Sequence, residues 1–311
     1  MRSVIEHIFL SIASAFPCRL GAHILKLLRT RPDITDRWGH HIRPIHYYEP
    51  LPDFQNLSVE ELTKRQTFPS IDFDLASQIR LMTRLSSQFR DELQCLQSED
   101  GASAFDFYND FFGRLDAAVY YSMIRDVRPR RLIEIGSGFS TLIALRALER
   151  NRLDGVRCNL TCIEPYPGPQ MQKTLDHIHL IDRPVQAVPL STFEQLTAGD
   201  ILFIDSTHVV ATGSDVNFEV LKILPALQKG VIVHFHDIFF PYEDPSYWLM
   251  DKRISWNEQY LLQAFLSFNS TYRPMLANAW LWHEYREVAD LLFSSVKEGL
   301  PPASFWMTRA A

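Results

Sequence analysis

A chain of 311 residues with 31 Lys and Arg against 37 Asp and Glu has a formal charge of −6, which argues against a broad phosphate-binding surface and so against nucleic acid as a substrate. The length allows one α/β domain of about 200 residues plus an appended region. Four cysteines, Cys18, Cys95, Cys158 and Cys162, are too few for a disulfide framework; Cys158 and Cys162 lack a second pair for a zinc ribbon, and reduced thiols favour a cytoplasmic protein.

Val4, Ile5, Ile8, Phe9, Ile12, Ala13 and Phe16 recur at helical spacing and predict an amphipathic helix. Glu6 and His7 interrupt the apolar stretch, and Pro17-Cys18-Arg19 is not a small-residue cleavage site, so a secretory signal is disfavoured. Packing on its own domain or on a second copy, as a homodimer, is the simpler reading. There is no run of about 20 apolar residues to span a membrane. Residues 1–104 show no strand–helix alternation and are expected to form a helical and irregular extension that supplies lid, substrate or dimer contacts. Within it, Arg43–Pro52 reads as extended chain, and Leu75, Ile79, Leu81, Met82, Leu85, Phe89 and Leu93 outline a helix. A further helix is expected over Phe107–Arg125.

From Arg130 to the end the pattern alternates, as in a doubly wound α/β sheet. Strands are predicted at 131–135, 160–164, 185–189, 201–205 and 231–236, with a crossover helix through Phe218, Val220, Leu221, Ile223, Leu224 and Leu227 before the fifth. Tyr272–Ala277 and Ser304–Thr308, around a helix from Glu287 to Val296, are expected to close the sheet as an antiparallel pair. The informative segment is Arg131–Thr141. Leu132, Ile133 and Ile135 suit a central parallel strand, Gly136 and Gly138 let the backbone turn sharply towards a ligand, and Ser137, Ser140 and Thr141 can cap the following helix. In open α/β sheets such a turn lies where ligands bind. Thr141 stands where a dinucleotide fingerprint wants a small residue, and Glu134 would repel a pyrophosphate but attract a cation, so S-adenosylmethionine is favoured over NAD(P).

Glu164, ending the second strand, can accept both hydroxyls of a ribose, and Ser191, beyond the predicted third strand, marks the adenine edge. Asp205, His236 and Asp237, at the ends of the fourth and fifth strands, can converge on a divalent metal, magnesium or manganese. Alternatively, His234 and His236 form hydrogen bonds within the sheet. His208, three residues after Asp205, is either a neutral general base or a solvated loop histidine. Asp215 is expected to cap the crossover helix. The stretch Pro241, Tyr242, Pro245, Tyr247 and Trp248, followed by Trp256–Tyr260, reads as a substrate cover.

These segments resemble the class I S-adenosylmethionine-dependent methyltransferases, in particular the macrocin-type O-methyltransferase branch. The resemblance covers about residues 105–311 and lies in Leu115-Asp116, Tyr120-Tyr121, Glu134–Gly138, Glu164, Asp205–Asn217 and Val233–Asp237. It implies that Glu134, Gly136 and Gly138 surround the methionine part of the cofactor, Glu164 holds the ribose and Asp205 lies near the transferred methyl. In metal-dependent relatives acids after strands 4 and 5 hold magnesium, and a lysine stands as base where this chain has His208. The implied activity is O-methylation of a hydroxyl on a sugar, glycan or secondary-metabolite acceptor. Competing readings are a cofactor-binding assembly module without activity and, more distantly, an NAD(P)-dependent oxidoreductase.

Overall fold

Short apolar runs separated by helices pair into one sheet in the computed structural model, which describes residues 18–99, 105–169, 171, 174–293 and 301–311. The strands are β1 (Arg131–Ile135), β2 (Asn159–Ile163), β3 (His179–Ile181), β4 (Ile201–Ile204), β5 (Ile232–Phe235), β6 (Tyr272–Ala277) and β7 (Phe305–Arg309). Their order is β3-β2-β1-β4-β5-β7-β6. The first five pair in parallel, while β7 runs antiparallel to both β5 and β6. Alternation divides the strand side chains between two cores. Leu132, Leu160, Phe203 and Trp306 belong to one face, and Ile133, Ile163, Leu202, Ile204 and Phe305 to the other. The longest described helices are α1 (Cys18–Arg29), α2 (Leu75–Gln97), α3 (Arg114–Val127) and α4 (Phe139–Leu153).

The third strand departs from the sequence expectation. It lies at His179–Ile181, and the predicted run at 185–189 contains a 3-10 turn, Val185–Ala187. Pro184 enters that turn, and Val185 and Val188 are apolar because the turn buries them beside the sheet. The helix expected from Phe107 begins only at Arg114. Asn109 holds the preceding segment as a turn, its Nδ2 donating to the carbonyls of Asp106 and Phe112 and its Oδ1 accepting from Phe111 and Phe112. The crossover before β5 is a composite of Asp215–Phe218, a π-helical turn Glu219–Ile223 and Leu224–Ala226.

By contact the chain divides at Leu57/Ser58 into two units. The described part of the first contains α1, a short helix Pro32–Thr35 and a 3-10 turn ending at left-handed Gly39; Arg43–Pro52 has no regular structure. The second unit, Ser58–Ala311, contains the whole sheet and also α2, which packs on α3 and β6. The apolar helix expected over residues 4–16 lies outside the described residues, as does the end of the helix expected up to Val296. Among the described residues no helix is long and apolar enough to cross a membrane, and Cys95, Cys158 and Cys162 are free.

Candidate active site

The parallel register brings the ends of β1, β2, β4 and β5 to one edge. At the end of β1, Gly136 has φ +83° and packs against β4 so closely that a Cβ would collide with the Asp205 carbonyl oxygen. The Ser137 amide donates to Glu164 Oε2 at 3.3 Å, and the Tyr166 amide donates to Glu164 Oε1 at 2.7 Å, which fixes that carboxylate across the turn. Ser137 Oγ is buried without a partner. A close backbone turn, a lone hydroxyl and a half-buried carboxylate fit a nucleoside-bearing cofactor at this edge.

Glu134 faces inwards. Its Oε1 accepts from Tyr120 Oη at 2.8 Å and its Oε2 from Thr141 Oγ1 at 2.5 Å, while Cys162 Sγ lies 3.6 Å from Oε2. Thr141 Oγ1 also accepts from the Gly138 amide at 3.2 Å, closing the first turn of α4. Burial pushes the Glu134 carboxyl up to about 7, against the opposing hydrogen bonds of Thr141 and Tyr120. Glu134 therefore braces the first turn of α4 from beneath the glycine turn. Ser191 is exposed and begins a short helix, Ser191–Glu194; with β3 ending at Ile181, Ser191 does not follow the end of the third strand, and the strand-end argument for it falls.

Asp205, His208 and Asp237 present one ligand atom each, all within 4.8 Å of one another. His208 Nε2 lies 3.4 Å from Asp205 Oδ1 and 3.6 Å from Asp237 Oδ2, and its Nδ1 meets Glu258 Oε2 at 2.7 Å. His208 and Asp237 both adopt left-handed backbone, with φ 61° and 55°, conformations that non-glycine residues hold only where the surroundings enforce them. Burial opposes protonation of His208, but Asp205, Glu258 and Asp237 outweigh it and raise the ring well above its ordinary value. The surrounding carboxylates thus favour the protonated ring, and its burial sets aside the solvated-loop reading. Two carboxylates and an imidazole whose other nitrogen is held by a carboxylate make a donor set suited to a divalent cation.

His236, the histidine that the sequence pairs with these aspartates, also lies against them. Its Nδ1 lies 3.6 Å from both Asp205 Oδ1 and Asp237 Oδ1, and its Nε2 turns to Asp116 Oδ2 at 3.7 Å. Asp116, at the start of α3, also accepts from Asn278 Nδ2 at 2.8 Å and from the Ala303 and Ser304 amides at 2.8 and 3.1 Å. His234 is fully buried among Tyr120, Phe203 and Trp306, with neither ring nitrogen hydrogen-bonded. Asp215 accepts from the Thr207 amide and hydroxyl, and the cap of the crossover helix is Ser214.

A cavity of about 220 Å³ opens beside this cluster. Asp116, His236 and Asp237 line its floor, and Phe239, Trp248, Trp256 and Trp282 contribute to its walls. Trp248 and Trp256 also pack on each other, 4.9 Å between rings, so the predicted aromatic cover both packs and faces the cavity. Sequence reasoning missed Glu258 and gave Asp116 no role. Glu258 lies 50 residues from His208, and only its position at the head of a helix after the aromatic loop could have drawn notice.

A seven-stranded sheet in this order, with a glycine turn after β1 and an acid after β2, is the Rossmann-like arrangement of a methyltransferase domain. Residues 133–238, about a third of the chain, match the family model described as a methyltransferase domain. The chain is 32% identical over 184 residues to an uncharacterized protein of Archaeoglobus fulgidus, a match covering 56% of this chain and 82% of that one. Among solved structures it is similar to the O-methyltransferase TomG from Streptomyces achromogenes in complex with SAM (14% identity, 74% and 99% coverage, TM-score 0.41). It is also similar to an O-methyltransferase from Bacillus cereus in complex with SAH (10%, 75% and 100%, 0.40). A third similar structure is the mycinamycin-pathway methyltransferase MycE in complex with Mg, SAH and mycinamycin VI (14%, 74% and 54%, 0.36).

Proposed function

We propose that this methyltransferase acts on a hydroxyl oxygen of a small-molecule or glycan acceptor bound in the aromatic-walled cavity, with a divalent cation held by Asp205, His208 and Asp237. The observation that carries the reading is the convergence of those three side chains where Asp237 also reaches the cavity floor. Glu164 is the ribose acceptor, its carboxylate already tied to the glycine turn through the Ser137 amide. Ser137 Oγ and the turn backbone supply polar contacts for the amino-acid end of the cofactor. The cofactor brings an activated methyl group, and the cation, when bound, lowers the pKa of a coordinated hydroxyl. What the chain adds is placement. Trp248, Trp256 and Trp282 exclude water and stack on the acceptor, while Asp116 steadies His236 at the floor. A metal-free route with His208 as base is less well supported, because three carboxylates surround that ring and favour its protonated form.

Isothermal titration with S-adenosylhomocysteine tests the cofactor part. Glu164→Ala is expected to weaken binding by at least about tenfold, ~1.4 kcal/mol. Acceptor screening with EDTA or added Mn²⁺ tests the rest: methyl transfer should disappear with EDTA and return with Mn²⁺, and Asp237→Asn should abolish it while leaving S-adenosylhomocysteine binding intact. Failure of the wild type to bind S-adenosylhomocysteine would overturn the reading.

A further inference from the structure

We propose that Glu258 is a positioning residue: it fixes the ring of His208 so that Nε2 is presented to Asp205 and Asp237 for cation binding. This inference rests on the metal-site reading above and goes beyond it to a residue outside the three-ligand set.

The geometry is that of a clamp. Glu258 is 2% exposed, and its Oε2 takes His208 Nδ1 at 2.7 Å, the shortest contact that ring makes to a carboxylate. The amides of Asn257 and Glu258 both donate to the His208 carbonyl, at 3.1 and 3.2 Å. Asn257 is tied to Val210 in both directions, Oδ1 accepting from the Val210 amide at 2.6 Å and Nδ2 donating to its carbonyl at 3.4 Å. Trp256 covers the imidazole, 4.4 Å between ring centroids. Three consecutive residues therefore grip the backbone, the ring face and one ring nitrogen of His208, whose left-handed backbone would not persist unaided. With Nδ1 engaged, Nε2 is the ring nitrogen directed at the two aspartates. A carboxylate behind a ligating histidine fixes ring orientation and raises donor strength, and its loss typically costs about 10–100-fold in metal affinity. Because Trp256 is also a wall of the cavity, the clamp joins acceptor site and cation site through one short segment.

The test uses the full chain, with Mn²⁺ as the probe followed by electron paramagnetic resonance and S-adenosylhomocysteine titrated in parallel. Glu258→Ala should weaken Mn²⁺ about 10–100-fold and leave S-adenosylhomocysteine affinity unchanged; Glu258→Gln, which keeps an oxygen acceptor without the charge, should fall between. In the metal-free wild type a downfield proton resonance from His208 Nδ1 is expected, identified by its absence in His208→Asn and lost in Glu258→Ala. If Glu258→Ala does not fold, Glu258→Gln decides. Folded variants with unchanged Mn²⁺ affinity would overturn this proposal alone. A wild type that binds S-adenosylhomocysteine but no Mn²⁺ would overturn the metal-site reading and this proposal with it, leaving the cofactor assignment standing.

Discussion

Glu134 shows how a single side chain in the glycine-turn motif can serve the fold. Its carboxyl is pushed up to about 7 by burial, and in the unfolded chain it would titrate near about 4.3. Between those values the folded protein holds the extra proton, so its contribution to stability is present at low pH and declines as pH rises through the folded value. Glu134→Gln, permanently neutral, should escape that decline. Its stability relative to wild type should improve by on the order of 2 kcal/mol from pH 5 to pH 8, read by urea denaturation at each pH. An unchanged difference would mean that Glu134 is ionised throughout. Gly136, Glu164, Asp205, His208 and Asp237 are legible in the sequence because each follows a recognisable strand, and the sheet brings strand ends together. The partners of Glu134 are less so. Tyr120 lies in another helix, and a motif does not say on which side of a strand a carboxylate will point. Glu258 is least legible of all, since its link to His208 depends on a left-handed bend and a contact across 50 residues.

Among the elements, the turn after β1 is the one with least freedom. Gly136 and Gly155 share φ +83°, but only Gly136 abuts another strand, while Gly155 faces open space. Gly155→Ala should therefore cost only the backbone penalty of about 1–2 kcal/mol. Gly136→Ala must also move β4 away from β1 and should cost more than about 4 kcal/mol, measured by chemical denaturation. Equal costs would show that the β1–β4 contact yields easily. Strand 3 illustrates the limit of pattern reading at this scale. A three-residue strand carries too little alternation to stand out, whereas Val185 and Val188, buried by a turn, imitate one. The π turn at Glu219–Ile223 is likewise invisible to an apolar spacing that satisfies a regular helix nearly as well.

Among the described residues both sheet-face cores and every strand lie within Ser58–Ala311, so a chain beginning at Ser58 is expected to unfold in one cooperative transition and to bind S-adenosylhomocysteine with the same affinity as the full chain. Thermal denaturation and titration of the shortened chain would check this; loss of binding would place a necessary contact before Ser58.

The order of the sheet also bears on the order of synthesis. β5 and β6 never pair; each is joined to the other only through β7, which follows both in the chain. A nascent polypeptide that has emerged as far as β6 still exposes β5 as a bare edge, and the amides of Ala303 and Ser304 that fix Asp116 have yet to arrive. The parallel half can assemble as it leaves the ribosome, but the cavity floor is completed only when the segment through Arg309 is free to thread between its neighbours. Until then a partly made chain has no finished cavity floor, and its open β5 edge is exposed to mispairing with other strands.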